Sequence, residues 1–174
     1  YGYLYREGTG KPLIQRGSGG AMPSSIVDTD DFNYYLGHTQ GPTSSEREFR
    51  PETSHPFTAS RWHVAHNGVL SNSKVLAEEY KVDSPVDSAV IPAMIWNTMS
   101  SLEGTFACWI YDELENDIYL VRCGSTLFYK EGCFSSKQPD NTWCTMSEGV
   151  VYKLVDNDLV SQDKFKSNSP YFIL

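Results

Sequence analysis

The chain predicts strands, then helices, then strands again, an order that is typical of an α+β domain with helices layered on sheets. Residues 1–6 (YGYLYR) alternate aromatic and aliphatic side chains, which is the period of a half-buried strand. Residues 73–80 and about 89–99 carry apolar residues at helical spacing. From Thr105 onward the period returns to two. The sequence therefore predicts two groups of strands separated by helices.

The first part of the chain is interpreted as two strands joined by loops. Residues 8–20 contain five glycines and predict a loop, whereas residues 34–40 (YYLGHTQ) predict a short strand. A short capped helix is expected within residues 24–32. Residues 41–60 are rich in Pro, Ser, Thr and Glu. A loop of this length inside a domain usually has a function.

Asn67-Gly68 interrupts an apolar, period-2 run over residues 62–72 (WHVAHNGVLSN). The pair predicts a tight turn, because both residue types tolerate positive φ. The Asn67 amide and the Gly68 backbone N–H are also two donors close together at the end of a predicted strand, and convergent donors are what a tetrahedral oxyanion needs. Further along, Asp87 precedes the predicted helix at 89–99 and is expected to cap it.

The C-terminal part is predicted to consist of strands. Residues 105–111 and 118–122 flank a Glu-Asn-Asp turn and predict a hairpin. The tail, residues 163–174, is polar and then aromatic, and we expect it to pack along the edge of the domain. Further strands are expected at 127–129, 143–146 and 150–154.

Composition limits the classes of function. The chain has 174 residues and a formal net charge of −8, and we interpret residues 1–174 as a single domain. Its 14 Lys and Arg residues form no basic cluster, which argues against nucleic-acid binding. The sequence contains neither an apolar run of about 18 residues nor a signal-peptide pattern, so no membrane association is expected. A cytoplasmic protein is the simplest expectation.

Cysteine and histidine spacing gives no indication of a metal site. The four cysteines lack CxxC spacing, and the four histidines lack HExxH spacing. Cys108 lies in the apolar run FACWI and is interpreted as a buried strand residue, which suits a reduced intracellular protein. Serines are numerous, but no GxSxG elbow is present, so a Ser-His-Asp triad cannot be assembled with any specificity.

Four polar clusters occur at predicted strand ends or at a helix start. Taken singly, each has an ordinary structural explanation: a buried histidine, a turn before proline, a hairpin corner or a helix cap. Taken together and in order, they predict a specific site. The clusters are HTQGPT at 38–43, HPF at 55–57, HNG at 66–68 and Asp87.

In this order the motifs resemble the glutaminase domain of the class II glutamine amidotransferases, a family of N-terminal-nucleophile hydrolases. The family pattern is a Cys-Gly-Ile-Phe-Gly strand, His-Thr-Arg-Trp-Ala-Thr, a loop ending in His-Pro, a strand closing in His-Asn-Gly, a Ser-Asp-Thr-Glu helix start and a Leu-x-Gly-x-Phe-Ala strand. The chain has HTQGPT, HPF, HNGVLSN, VDSAVI and LEGTFACWIYD at the corresponding places. The resemblance covers nearly the whole chain and implies a four-layer αββα sandwich.

The resemblance also implies an activity, the hydrolysis of the glutamine side-chain amide to glutamate and ammonia. In the family an N-terminal cysteine attacks the amide, and its own α-amine is the general base. Asn67 and Gly68 would then form the oxyanion hole, Asp87 would bind the substrate α-ammonium group, and Thr43 and Gln40 would lie on the carboxylate side. The reaction needs no cofactor. The implied substrate is glutamine or a related amide, and a separate synthetase or ligase subunit would receive the ammonia.

Two positions depart from the family pattern. Tyr1-Gly2 aligns with the Phe-Gly of the leading strand, so the nucleophile cysteine is expected ahead of Tyr1, and activity is conditional on it. Gln40 stands where the family has the arginine that pairs with the substrate carboxylate, and a neutral amide lacks that bidentate, charge-assisted pair.

Several alternatives stay open after these departures. Glutamine binding is weaker, another arginine (Arg47, Arg50 or Arg61) meets the carboxylate, or the substrate is a different amide hydrolysed on the same fold. A catalytically silent binding or assembly module is the remaining alternative, and it belongs to another class of function.

Overall fold

Strands account for most of the regular structure. The computed structural model describes residues 1–18, 32–41, 50–95 and 99–166, and in these ranges twelve strands form three sheets. The chain divides into two units, Tyr1–Phe57 and Thr58–Leu174.

The first unit contains a three-stranded antiparallel sheet in the order β2-β1-β3. Its strands are β1 (Gly2–Glu7), β2 (Leu13–Arg16) and β3 (Phe32–His38). Tyr3 and Leu4 of β1 and Leu36 of β3 are buried. Tyr3 and Leu4 are consecutive and point to opposite faces, so the half-buried alternation predicted for residues 1–6 is wrong at these two positions. Strand β2 lies inside the stretch that was expected to be a loop, and that expectation is wrong there, because pairing with β1 organises four residues between the flanking glycines.

The second unit is built on a six-stranded sheet in the order β12-β11-β7-β6-β5-β4. Neighbouring strands pair antiparallel wherever the register is resolved, from β12 across to β5. Strands β5 and β6 are central and nine residues long each. The strands are β4 (Phe57–Ala59), β5 (Trp62–Leu70), β6 (Gly104–Asp112), β7 (Asp117–Cys123), β11 (Val150–Val155) and β12 (Asp158–Lys164).

Strand β6 is buried on both faces. Eight of its nine residues are buried, including Phe106, Cys108 and Ile110 on one face and Ala107 and Trp109 on the other. A strand that is covered on both faces reads as a continuous apolar run, which explains the sequence GTFACWIYD. Burial on both faces is also what the inner sheet of a layered sandwich requires, although the four-layer arrangement itself stays a prediction.

Two short α-helices in the connection between β5 and β6 belong to the same core. Helix α1 (Ser73–Tyr80) has the predicted bounds and buries Leu76. Helix α2 (Ile91–Met94) follows a 3-10 helix, Asp87–Val90. Their apolar side chains pack with one face of the sheet in a single cluster, which includes Leu76, Val90, Ile91, Met94, Leu70, Phe106, Cys108, Ile110 and Val121.

The helix predicted over 89–99 is shorter than expected. Pro92 lies in the first turn of α2, where its missing N–H costs nothing, but it cannot continue a helix that began before it. The chain therefore starts in the tighter 3-10 geometry at Asp87 and changes to α-helix at Ile91. Residues 96–98 lie outside the described ranges, and a further 3-10 turn occurs at Met99–Ser101.

A small three-stranded sheet, in the order β10-β8-β9, completes the second unit. Its strands are β8 (Phe128–Lys130), β9 (Cys133–Ser135) and β10 (Cys144–Thr145). Strand β9 and the edge strand β12 were not predicted, because β9 has three residues and β12 (DLVSQDK) is largely exposed without clear alternation.

The predicted α+β class is confirmed in its coarse form: the described part of the chain mixes helices and strands, and its sheets are mostly antiparallel. The helix expected within residues 24–32 lies outside the described part of the chain. Within the described ranges, none of the helices has the length and apolar character that a membrane crossing requires.

Candidate active site

Asn67 and Gly68 lie inside strand β5 and not at a turn. They pair with Ala107 and Phe106 of β6, and the pairing continues to Leu70 opposite Gly104. The hairpin corner predicted from the Asn-Gly pair is therefore wrong. Nine consecutive paired positions outweigh the local turn preference, and the positive φ that Asn-Gly permits appears at Gly68 alone, at +145°.

Gly68 occupies a position that no other residue fits. A Cβ at this position would lie 2.0 Å from the Thr105 carbonyl oxygen and 2.9 Å from Nε2 of His66. The φ of +145° is also unfavourable for residues with a side chain. Glycine is therefore required here both by its backbone conformation and by the close approach of strand β6.

The Asn67 side chain is exposed near the C-terminal end of β5. Side chains alternate along a strand, and Asn67 and Val69 are exposed whereas His66 and Leu70 are buried. Among the residues that the structure describes, the Asn67 side-chain amide has no hydrogen-bond partner. Its two N–H donors are thus available to a ligand at this end of the strand.

Asp87 is held by backbone N–H groups. Its Oδ2 accepts a hydrogen bond from Leu70 N at 2.9 Å, and its Oδ1 accepts one from Ser88 N at 2.9 Å. Asp87 is the first residue of its 3-10 helix and not the N-cap, so the capping role predicted for it is corrected to an anchoring role between that helix and strand β5. Each carboxylate oxygen can accept a second hydrogen bond, so the group retains the capacity to bind a cation.

His66 is a buried histidine whose tautomer follows from its partners. Its Nε2 lies 3.2 Å from the Thr105 carbonyl oxygen, and its Nδ1 lies 2.9 Å from Oγ of Ser88. A carbonyl oxygen only accepts, so Nε2 carries the proton, and in the neutral ring Nδ1 accepts the Ser88 hydroxyl proton. Burial lowers the pKa of His66 below 6.5, against the opposing effects of the Asp87 charge and the Thr105 hydrogen bond. The ring is therefore neutral near pH 7.

The contacts of His66 and Leu70 fix the candidate donors relative to Asp87. His66 is bonded to Ser88, and Leu70 is bonded to Asp87. The two contacts flank Asn67 and Gly68 along the strand. The structure thus brings three of the predicted site residues, Asn67, Gly68 and Asp87, into one hydrogen-bonded segment of the second unit.

The other two predicted site residues are not part of this segment. Gln40 belongs to the first unit, two residues after β3, and is half-buried. Thr43 lies outside the described residues, as does Arg47. Their predicted roles stay predictions.

Arg61 is already engaged in ion pairs. Its guanidinium group lies 3.1 Å from Asp112 and 3.9 Å from Glu115, and it stacks on the ring of Trp62. It immediately precedes β5, so about 20 Å of extended strand separates its backbone from Asn67. Arg61 is therefore a poor candidate for the substrate carboxylate.

The four cysteines are all free thiols, and Cys108 is inert. It lies opposite His66 on β6, fully buried, and burial raises its pKa strongly. A thiol of this kind supplies no thiolate at neutral pH. Cys123 is half-buried, whereas Cys133 and Cys144 are exposed on the small sheet.

Ser88 and Thr105 were not identified from the sequence as parts of the site. Both act through contacts that join distant parts of the chain, 22 and 39 residues apart. A serine directly after the candidate aspartate was the one local signal for Ser88. Within the described ranges, no cluster of three or more His, Cys, Asp or Glu side chains is placed to hold a metal.

Two solved structures are similar to this chain in fold. The glutamine phosphoribosylpyrophosphate amidotransferase of B. subtilis matches with a TM-score of 0.65 at 14% identity, over 92% of this chain and 42% of that chain. A glutamine aminotransferase class-II domain protein from Silicibacter pomeroyi matches with a TM-score of 0.59 at 13% identity, over 96% of this chain and 92% of that chain. The fold is thus one that glutamine amidotransferases use.

Two curated relatives are described as synthases. The chain is 28% identical over 164 residues to 7-cyano-7-deazaguanine synthase of Sulfolobus acidocaldarius, and 31% identical over 94 residues to 7-cyano-7-deazaguanine synthase 2 of Sulfurisphaera tokodaii. These matches cover 86% and 46% of this chain. The chain spans 30% and 20% of the length of these relatives. No protein-family model matches the chain.

The substitution Gly68→Ala is expected to destabilise the protein by about 3 kcal/mol, because the new Cβ meets the Thr105 carbonyl and the φ is unfavourable. Urea unfolding measures the change. Gly41→Ala is the matched control, since a Cβ at Gly41 has no atom within 4 Å. Equal unfolding midpoints for the two variants would contradict the close approach at Gly68.

The free energy of unfolding is expected to fall as the pH drops below about 6.5. In this range the unfolded state gains a proton at His66, whereas the buried ring in the folded state stays neutral until a lower pH. One such group contributes a slope of at most about 1.4 kcal/mol per pH unit. Urea unfolding between pH 5 and pH 7.5 measures the slope, and His66→Gln should make it shallower. Identical slopes in both proteins would rule out this account of His66.

Proposed function

We propose that the chain is a glutaminase domain of the class II glutamine amidotransferase type, which hydrolyses the glutamine side-chain amide to glutamate and ammonia. The single observation that carries the proposal is the bonded segment in which Asn67 and Gly68 lie between two contacts to the Asp87 region. It occurs in a fold that glutamine amidotransferases share and in the motif order that the sequence offers. The proposal includes the interpretation of residues 1–174 as one domain.

The proposed roles follow from the donors and charges. Asn67 Nδ2 and the Gly68 backbone N–H donate to the oxyanion that forms when a thiolate attacks the amide carbonyl. Asp87, with both oxygens already oriented by backbone N–H groups, binds the α-ammonium group of the substrate. A fixed carboxylate and fixed donors need little rearrangement in the transition state, which is how an oxyanion hole lowers a barrier.

The proposal assigns the nucleophile to a cysteine that would precede Tyr1. Its thiol proton passes to its own α-amine, whose reference pKa of about 8 suits a general base at neutral pH. The thiolate adds to the amide carbon, the protonated nitrogen leaves as ammonia, and water then hydrolyses the acyl-enzyme to glutamate. The buried Cys108 supports this assignment, because its raised pKa excludes it as the nucleophile.

The acceptor of the ammonia is proposed to be a synthase activity. The curated relatives are named for a product that carries a nitrile, and the chain matches only 30% and 20% of their length. A nitrile nitrogen is at the oxidation level of ammonia, so a glutaminase region is a chemically suitable source for it. We therefore propose that the ammonia is consumed by a nitrogen-inserting synthase reaction, in the same polypeptide or in a partner subunit.

A second candidate function is supported by Gln40. The side chain is neutral and half-buried where the family has an arginine, so it offers no charge to a free α-carboxylate. A substrate whose carboxylate is absent or modified would suit this position better. The alternative is an amide hydrolase of the same fold and mechanism with a different substrate.

The substitution Asn67→Ala is expected to lower kcat for glutamine hydrolysis by about 10²–10³-fold, since it removes one oxyanion donor. The unfolding midpoint should stay unchanged, because the side chain is exposed. Glutamate release by the full-length protein measures the rate. Asn141→Ala, at another exposed asparagine, should retain full activity. A wild-type protein that begins with cysteine but releases no glutamate would sink the proposal.

Gln40→Arg separates glutamine from other amides. If free glutamine is the substrate, the added guanidinium group should lower KM roughly tenfold through a charge-assisted pair with the carboxylate. Steady-state kinetics with glutamine in the wild type and the variant measure this change, and Gln138→Arg on the exposed surface serves as control. An unchanged KM would show that position 40 does not bind the carboxylate and would remove the support that Gln40 gives to the second candidate function.

A further inference from the structure

His66 and Ser88 form a buried pair that the proposed chemistry does not use directly. Both residues are almost fully buried, at 3% exposure each. Because both side chains are buried, we expect neither to contact a substrate. Each is nevertheless adjacent in sequence to a proposed site residue. His66 precedes Asn67, and Ser88 follows Asp87.

The pair connects the Asn67-Gly68 segment with Asp87, in addition to the hydrogen bond from Leu70 N to Asp87. His66 Nδ1 accepts from the Ser88 hydroxyl at 2.9 Å, and Ser88 N donates to Asp87 Oδ1 at 2.9 Å. On its other side, the His66 ring donates from Nε2 to the Thr105 carbonyl at 3.2 Å. The same carbonyl is the group closest to the position that a Cβ of Gly68 would occupy.

The Ser88 hydroxyl and the Thr105 carbonyl together set the direction of the hydrogen bonds at His66. The hydroxyl has one proton, which can go to His66 Nδ1 or to Asp87 Oδ1, 3.3 Å away. When the proton goes to His66, the ring must keep its own proton on Nε2 and bond Thr105. The Asp87 oxygen then keeps a lone pair for the substrate. Loss of the hydroxyl leaves Nδ1 without this donor, whereas the Thr105 carbonyl still favours the proton on Nε2.

We propose that Ser88 and His66 are positioning residues which hold Asp87 and the Gly68–Thr105 contact in one arrangement, so that the ammonium contact and the oxyanion donors are set together. The inference rests on the proposed glutaminase function and deepens it. Leu70 N and Ser88 N fix Asp87, and the Ser88 hydroxyl extends the same network to Nδ1 of the His66 ring.

The first test measures the tautomer in the full-length wild-type protein. Selective ¹⁵N labelling of histidine, with His66→Gln to assign the signal, distinguishes Nε2–H from Nδ1–H by nitrogen chemical shift. The Nε2–H form is expected at pH 7 in the wild type and in Ser88→Thr, which retains a hydroxyl. A ring protonated on Nδ1 in the wild type overturns the inference, whatever the activity.

The second test measures kinetics per active site, counted by titration with a thiol-alkylating glutamine analogue. Ser88→Ala should lower kcat/KM for glutamine roughly tenfold, with kcat reduced and KM raised together. Ser88→Thr should restore most of the loss. The matched control is Ser84→Ala, because Ser84 accepts a hydrogen bond from Val86 N in the same segment without contacting His66 or Asp87.

The outcomes separate the inference from the function. An active wild type with Ser88→Ala kinetics equal to those of Ser84→Ala overturns the inference alone, since a merely structural serine changes the unfolding midpoint and the number of active sites but not kcat and KM per site. A wild type with an N-terminal cysteine and no glutaminase activity overturns the proposed function and this inference with it.

Discussion

The close approach of the Thr105 carbonyl to the Cα of Gly68 is the constraint on which the rest of the second unit depends. It requires glycine at position 68 and keeps β5 paired with β6 beyond a dipeptide that would otherwise turn. The same carbonyl accepts from His66 and thereby selects the ring tautomer that bonds Ser88. Ser88 N and Leu70 N both donate hydrogen bonds to the Asp87 carboxylate, so Asp87 belongs to the same network. One interstrand contact is thus connected by hydrogen bonds to three segments of the chain, at residues 66–70, 87–88 and 105.

The sequence pattern was sufficient to predict the bounds of an element where its apolar residues follow a single period, either that of a strand or that of a helix. The strand at 105–111 and the helix at 73–80 were predicted with nearly the observed bounds, because alternation and helical spacing are strong there. The prediction failed where strand pairing or the ring of a proline overrides the local secondary-structure preference. Asn67-Gly68 is a turn by composition but a strand by pairing, and Pro92 divides a stretch whose apolar spacing suits one long helix.

The site was predictable to the extent that its residues form a motif. Asn67, Gly68 and Asp87 were selected as candidates because their order along the chain matches a family pattern, and the structure joins their neighbours by hydrogen bonds. Ser88 and Thr105 could not be found in this way, because their significance lies in contacts across 22 and 39 residues. Gln40 is the opposite case. The sequence alone shows that this residue departs from the family pattern, but the effect of the departure depends on the substrate.

The spacing between His66 and Leu70 has a consequence for how this region can change. These two positions bond consecutive residues, Ser88 and Asp87, so the four-residue interval between the strand contacts is fixed. Inserting or deleting one residue within it would move one anchor to the opposite face of the sheet. The segment can accept substitutions at exposed Val69, but not changes in length. Among homologues, length variation should therefore occur in the connection from 81 to 86 and not within the strand.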